Sequence, residues 1–324
     1  MSSTQGPLAE AAFPRVAELV SGIERFAVGQ GEAARQLLAG YMAGGHVLLE
    51  GVPGIGKSLL ARAAAACLGL RFARLQFTPD LTPTDVTGSN VFDPASRSFH
   101  LVRGPVFTQV LMADEVNRTP PKTQSALLEA MQERQVSIDG CTHPLEPEFF
   151  VVATENPVEF EGTYPLPEAQ QDRFLLRVEM GLPEPARELE IYARAAAGTL
   201  AGWSTPELPA AVLEPDEARA LRRASGRAHV APELLEYLQR LATAVRRSAD
   251  VELGPSPRGV LSLLEAARAW ALLGGRAFVT PDDLKELLVP CWAHRLVLAA
   301  ESELEGRSTR QVLETAARSV DVPR

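Results

Sequence analysis

HVLLEGVPGIGKS, from His46 to Ser58, decides how the rest of the chain is read. Val47, Leu48 and Leu49 predict a short buried strand, and Gly51 to Ser58 fit the spacing G-x-x-x-x-G-K-[ST]. The run LLARAAAACLGL behind them predicts a helix. Strand, glycine loop and helix in that order are the setting in which such a loop grips phosphate. Gly51, Gly54 and Gly56 let the backbone turn its N–H groups inward. The new helix adds its own free N–H groups and the positive end of its dipole. Lys57 is placed to reach the β- and γ-phosphates, and the Ser58 hydroxyl to ligate Mg²⁺. A chance match to this spacing arises in about one chain in a hundred of this length. Lysine is scarce here, occurring only as Lys57, Lys122 and Lys285.

Beyond the loop, apolar strands alternate with helices, as in a parallel sheet covered on both faces. RFARLQF (Arg71 to Phe77), VFTQVLMADE (Val106 to Glu115), FFVVAT (Phe149 to Thr154) and Phe174 to Glu179 join Val47 to Glu50 as five expected strands. Thr119 to Glu133 predicts a helix with Pro120 and Pro121 in its first turn, and Leu166 to Arg173 a shorter one. Thr78 to Gly104 reads as a hairpin insertion or a plain loop, and a loop that long is usually functional. Gln135 to Phe149 predicts a second hairpin turning at Asp139–Gly140. Ahead of the sheet, Met1 to Gly6 reads as a loose tail. Leu8 to Phe26 predicts a helix, and a second helix follows the turn at Val28–Gly29–Gln30. After Met180 clear strand patterns stop, and Glu214 to Leu313 reads as helix after helix. The expected division is an α/β core over residues 1–183 and an all-helical domain with its linker over residues 184–324.

In a buried parallel strand, VLMADE delivers Asp114 and Glu115 at the carboxyl edge beside the loop. Asp114 suits the hydration shell of Mg²⁺, and Glu115 suits an attacking water. Asn156, in ATENP, reads either as a turn residue before Pro157 or as an amide aimed at that water or the γ-phosphate. Arg173, in EAQQDRF, read alone is a surface arginine. Arg258 follows a capping Ser256 and a first-position Pro257. A cation there opposes the helix dipole, which suggests a phosphate partner.

Composition narrows the class. The 324 residues are 46% hydrophobic and 23% charged, fitting a globular protein of two domains. A net charge of −9 argues against a general nucleic-acid coat protein. Cys67, Cys141 and Cys291 are scattered and odd in number, no histidine–cysteine spacing suits zinc, and a reducing cytoplasmic location fits. No apolar run approaches the ~20 residues of a membrane span, and the N-terminus lacks a signal-peptide pattern.

GVPGIGKS (Gly51 to Ser58), GPVFTQVLMADEVNRTPPKTQSALLEAMQE (Gly104 to Glu133), VVATENP (Val151 to Pro157), TYPLPEAQQDRF (Thr163 to Phe174) and SPR (Ser256 to Arg258) together resemble the MoxR family of AAA+ ATPases. HRLVL (His294 to Leu298) and the closing VPR are similar to the family's tail. The resemblance implies an α/β P-loop NTPase (AAA+) core, a five-stranded parallel sheet with hairpin inserts, and a helical lid. It implies that Val28, Gly29 and Gln30 line the adenine side. Gly51, Val52, Pro53, Gly54, Ile55, Gly56, Lys57, Ser58 and Leu59 would hold the phosphates of ATP. Ser58 and Asp114 would hold Mg²⁺, the latter through water. Glu115 would complete the Walker B pair, Asn156 would be sensor 1 and Arg258 sensor 2. Arg173 is similar to an arginine finger acting in a neighbouring subunit's site, so the contact would be head-to-tail and close into a homo-oligomeric ring of six.

The implied role is chaperone-like remodelling or maturation of a client protein complex, with a von Willebrand factor A domain protein as partner. A nucleic-acid motor is the competing reading. It requires basic inserts, but Arg97, His100 and Arg103 share the first with Asp85 and Asp93, and the second offers only His143 against Asp139, Glu146 and Glu148. A magnesium-chelatase-type ATPase subunit would share the ring chemistry and differ in its partner.

Overall fold

The computed structural model describes residues 15–156, 162–200 and 208–323. The expected N-terminal tail, the start of the first expected helix, Pro157, residues 201–207 of the linker and Arg324 lie outside them. Two helices, α1 (Val16–Glu24) and α2 (Gly31–Met42), precede β1 (Val47–Glu50) and the loop helix α3 (Lys57–Cys67). The sheet continues with β2 (Phe72–Gln76). Next come a short helix α4 (Pro83–Thr87) and the hairpin β3 (Gly88–Asp93) and β4 (Ser98–Arg103). Then follow β5 (Val110–Asp114), α5 (Pro121–Glu133) and the hairpin β6 (Gln135–Ile138) and β7 (Cys141–Pro144). The core closes with β8 (Phe150–Glu155), α6 (Glu168–Gln171) and β9 (Leu176–Glu179).

β1, β2, β5, β8 and β9 form one parallel sheet in the order β2-β5-β8-β1-β9. The central strands β5 and β8 are buried almost throughout, which is why they read as unbroken apolar runs. The alternation of Cβ directions then divides the core. Val47, Leu49, Met112 and Val152 join α1–α3, whereas Leu48, Leu111, Ala113 and Val151 join α5 and the base of the hairpins. Helices thus cover both faces. β1 lies between β8 and β9, so the chain jumps across the sheet on leaving it. Such a switch point leaves a crevice at the carboxyl ends of the strands.

Val106 to Gln109 are not strand. Val106 N–H meets the Val86 carbonyl at 3.4 Å and Phe107 N–H the Gly104 carbonyl at 3.1 Å, closing the base of the first insert. That insert carries α4 ahead of the expected hairpin. Its signature is the capping box of Thr82 and Asp85 with Pro83 at the first position. The second hairpin turns where expected, with positive φ at Asp139 (49°) and Gly140 (81°), the twist a tight hairpin prefers. The two inserts touch: Asn90 Nδ2 donates to Asp139 Oδ2 at 2.8 Å.

After β9 come α7 (Pro185–Ala196), α8 (Pro215–Ser225), α9 (Pro232–Arg246), α10 (Pro257–Leu273), α11 (Pro281–Trp292), α12 (Ala300–Leu304) and α13 (Thr309–Ser319). A proline opens each of α7 to α11, where its missing N–H costs nothing. Among the described residues the region is helical apart from a short antiparallel pair, β10 (Val251–Leu253) with β11 (Val297–Leu298), and one isolated bridge between His229 and Phe278. Two or three residues are too short to leave a periodic signal. One apolar cluster runs from α1–α3 into α8–α11 and α13, so the N-terminal helices bridge the sheet and the helical region.

His46, just before β1, is buried and bonded on both ring nitrogens. Nδ1 accepts the Val151 N–H at 2.9 Å, so Nε2 carries the proton toward the Met131 carbonyl at 3.1 Å. Burial pulls its pKa from 6.5 down to about 3. The unfolded chain takes up this proton near pH 6.5 and the folded chain only near 3, so the stabilisation is full above 6.5 and lost as the pH falls toward 3. His46→Gln should cost about 1–3 kcal/mol near neutral pH, since two buried backbone groups lose their partner. Its thermal midpoint should fall less steeply than that of the unsubstituted protein between about pH 7 and about pH 5, where ordinary carboxylates stay ionised. Parallel pH profiles for the two proteins would contradict this role.

Candidate active site

The chain leaves β1 through Gly51 and enters α3 at Lys57. Gly54 (φ 79°) and Gly56 (φ 100°) take left-handed conformations that an L side chain strains to adopt. Gly56 is the residue that caps α3, so the helix opens directly into the loop. The Lys57 ammonium lies back across the loop, donating to the Gly51 carbonyl and, at 3.2 Å, to the Glu155 carbonyl. Pro53 to Leu59 form one wall of a cleft of about 560 Å³.

The opposite wall comes from β5, β8 and β2. Asp114 ends β5 and is 7% exposed. Thr154, on β8 and fully buried, donates its hydroxyl to Asp114 Oδ1 at 2.6 Å. The same hydroxyl accepts the Glu115 N–H at 2.8 Å. Glu115 is therefore not the end of a strand. It takes a left-handed conformation (φ 56°) that begins a 3-10 turn over Val116–Arg118. Such a conformation costs a non-glycine residue on the order of 1 kcal/mol and persists where neighbours enforce it. Its carboxylate accepts from Gln76 Nε2 at 2.8 Å and pairs with Arg118 Nη1 at 3.2 Å. Arg74, two residues before Gln76 on β2, grips Asp114 Oδ2 with Nε at 3.0 Å and Nη2 at 2.5 Å.

Asn156 follows β8, is nearly buried and lines the same cleft. The residue before it, Glu155, stands in register with Glu50 on β1, which stands in register with Glu179 on β9. Burial, then the charge of Glu50, pushes the Glu155 carboxyl up to about 7, with Arg177 opposing.

The expected residues divide into two sets. Pro53 to Leu59, Asp114, Glu115 and Asn156 line the cleft together. Val28, Gly29, Gln30, Gly51, Val52, Arg173 and Arg258 are not among the residues lining it. Val28 and Gln30 are buried, and Gln30 Nε2 donates to the Gly181 carbonyl at 3.0 Å, against the crossover from β9 to α7. Arg173 lies just beyond α6, half-buried, with no hydrogen bond or ion pair to its guanidinium among the described residues. Arg258 projects from the first turn of α10, exposed, behind a Ser256 cap that accepts the Gly259 N–H at 3.2 Å. Sequence reasoning missed Arg62, Phe72 and Arg74, which also line the cleft, as well as Gln76 and Thr154 behind it. Alternation in RFARLQF placed Arg74 and Gln76 on one face of a strand. That β2 lies beside the strand of acids follows only from the sheet order.

Among the described residues no cluster of three or more acids, histidines and cysteines could cage a metal. The donor set is one hydroxyl, Ser58, and one carboxylate, Asp114. This suits Mg²⁺, which keeps several waters and takes its remaining ligands from nucleotide phosphates.

The profile of the ATPase family associated with various cellular activities (AAA) matches residues 46–176, and that of the AAA lid domain matches residues 243–316. Protein YeaC of Bacillus subtilis (strain 168) is 42% identical over 96% of this chain and 95% of its own. Chaperone MoxR1 of Mycobacterium tuberculosis (H37Rv) is 40% identical over 93% of this chain and 80% of its own. The crystal structure of a protein assigned as an ATPase from Cytophaga hutchinsonii superposes with a TM-score of 0.88 at 36% identity, covering 98% of this chain and 97% of that one. With a phosphate loop, an acid pair and a helical lid joined in one chain and relatives of this likeness along nearly its whole length, the protein belongs to the MoxR family of AAA+ ATPases.

Proposed function

We propose that the cleft binds Mg–ATP between the loop and the acid pair, and that its hydrolysis drives a head-to-tail ring, of six subunits, that remodels a client protein complex. The observation that carries this reading is the placement of Glu115. Its carboxylate is held by Gln76 and Arg118 on the wall facing Lys57. The N–H groups of the loop and Lys57 bind the phosphates, and Glu115 takes the proton of the attacking water. Asn156 orients that water. Ser58 and Asp114 would hold Mg²⁺, which when bound neutralises charge on the β- and γ-phosphate oxygens. Val28, Gly29 and Gln30 would meet the adenine, and Arg258 would reach the nucleotide when the lid closes.

Arg173 is assigned to the neighbouring subunit's site because, among the described residues, its guanidinium has no hydrogen bond or ion pair and it does not line its own cleft. The chaperone role is carried over from the relative of that name, the von Willebrand factor A domain partner from the family resemblance, and the cytoplasmic location from the scattered, odd-numbered cysteines. A protein client is favoured over nucleic acid by the first hairpin. Its large exposed apolar side chains are Val91, Phe92, Phe99 and Val102, with Phe99 70% exposed, beside the exposed Arg97, His100 and Arg103. The Arg103 guanidinium lies over the Phe107 ring and His100 lies beside Asp93, so of the three basic side chains only Arg97, at the turn, stands clear of the apolar and acidic groups of the insert among the contacts of the described residues. A magnesium-chelatase-type subunit would use the same site with another partner.

Glu115→Gln should keep ATP affinity within about threefold and lower turnover by about a hundredfold or more, the usual scale for a lost base. Lys57→Ala should lose binding itself. Both are read by equilibrium nucleotide binding beside phosphate release, and full turnover by Glu115→Gln would remove it from this role. Arg173→Ala should bind ATP normally and lose about a thousandfold or more in turnover under assembling conditions. Unchanged turnover there would show that no neighbour completes the site through this residue.

A further inference from the structure

We propose that Arg74 is a positioning residue that holds Asp114 and competes with Mg²⁺ for that carboxylate. This rests on the reading of the cleft as an Mg–ATP site and adds a competitor that the reading does not contain.

Asp114 is nearly buried, and a carboxylate so placed needs a counter-charge. Both of its oxygens are taken. Thr154 occupies Oδ1 at 2.6 Å, and the Arg74 fork occupies Oδ2 from Nε at 3.0 Å and Nη2 at 2.5 Å. A water of a metal's hydration shell and this guanidinium would seek the same oxygen, and two cations on one carboxylate repel. Arg74 is the partner able to leave. It stands on β2, the edge strand, with its side chain 51% exposed, whereas Thr154 is locked in the sheet interior. Arg74 also lines the cleft, so once displaced it stays within reach of bound phosphates.

The fork has a second contact. Arg74 Nη2 donates to Gln76 Oε1 at 3.0 Å, and Gln76 Nε2 donates to Glu115 Oε2 at 2.8 Å. The guanidinium therefore orients the amide that restrains the catalytic carboxylate. Movement of Arg74 off Asp114 would remove that orientation, while Arg118 keeps its own pair with Glu115 at 3.2 Å.

The test uses full-length protein in the Glu115→Gln background, so that nucleotide persists, and a fluorescent N-methylanthraniloyl ATP titrated with Mg²⁺. Glu115→Gln alone must show metal-promoted binding. If it shows none, the reading of the cleft fails and this proposal with it. Adding Arg74→Gln should lower the Mg²⁺ midpoint about twofold to fivefold, the scale of losing a half-exposed ion pair. It should also weaken metal-free ATP binding, because Asp114 then faces the phosphates without a counter-charge. Arg74→Lys, with one donor atom in place of a fork, should shift the midpoint the same way by less. In an Asp114→Asn background the Arg74→Gln shift should vanish. An unchanged or raised midpoint in an Arg74→Gln protein that melts normally would overturn the competition.

Discussion

A single hydroxyl holds the chemistry in place. Thr154 donates to Asp114 and accepts from the N–H of Glu115, so one buried side chain on β8 fixes both acids at the end of β5. The left-handed turn at Glu115 depends on it, because the N–H that bond satisfies would otherwise point into an apolar sheet interior. The parallel register makes the contact possible. β5 and β8 are neighbours, and β1 on the far side of β8 delivers the phosphate loop to the same edge. Loop, acids and Asn156 meet because three strands end together.

The helical region is tied to the core through the segment that carries Arg173. Arg295, almost fully buried between α11 and β11, donates to Asp172 Oδ1 at 2.6 Å and to the carbonyls of Phe174 at 2.6 Å and Leu175 at 3.1 Å. His294 approaches the same Phe174 carbonyl at 3.1 Å. Burial holds the His294 pKa well below its ordinary value, so the ring stays neutral. Arg173 lies between two residues that the lid grips. A rotation of the lid would therefore be felt at this arginine, which under the proposed function would link ATP state to subunit contact.

Where a local rule governs one segment, the sequence was easy to read. The glycine loop, the Ser256 cap with Pro257, the Asp139–Gly140 turn and the buried strands β5 and β8 each follow from spacing or composition within a dozen residues. Legibility failed where a role depends on a neighbour across the sheet. Arg74 and Gln76 look like ordinary polar positions of an edge strand until β2 is placed beside β5. Thr154 looks like any β-branched strand residue until its hydroxyl is seen between two acids. The helix α4 was hidden because a five-residue element leaves no period, although its capping box was present in Thr82–Pro83–Thr84–Asp85. The β10–β11 pair was hidden for the same reason.

The central claim is that each cleft is completed by a neighbouring copy. Mixing two inactive proteins tests it most directly. Glu115→Gln lacks the base but offers Arg173 to its neighbour, and Arg173→Ala lacks the finger but keeps an intact cleft. In mixed rings the Arg173→Ala clefts that face a Glu115→Gln subunit are whole. The account predicts that ATPase activity absent from either protein alone appears on mixing and peaks near equal proportions. Mixtures that stay as inactive as their components, although shown to co-assemble, would contradict it.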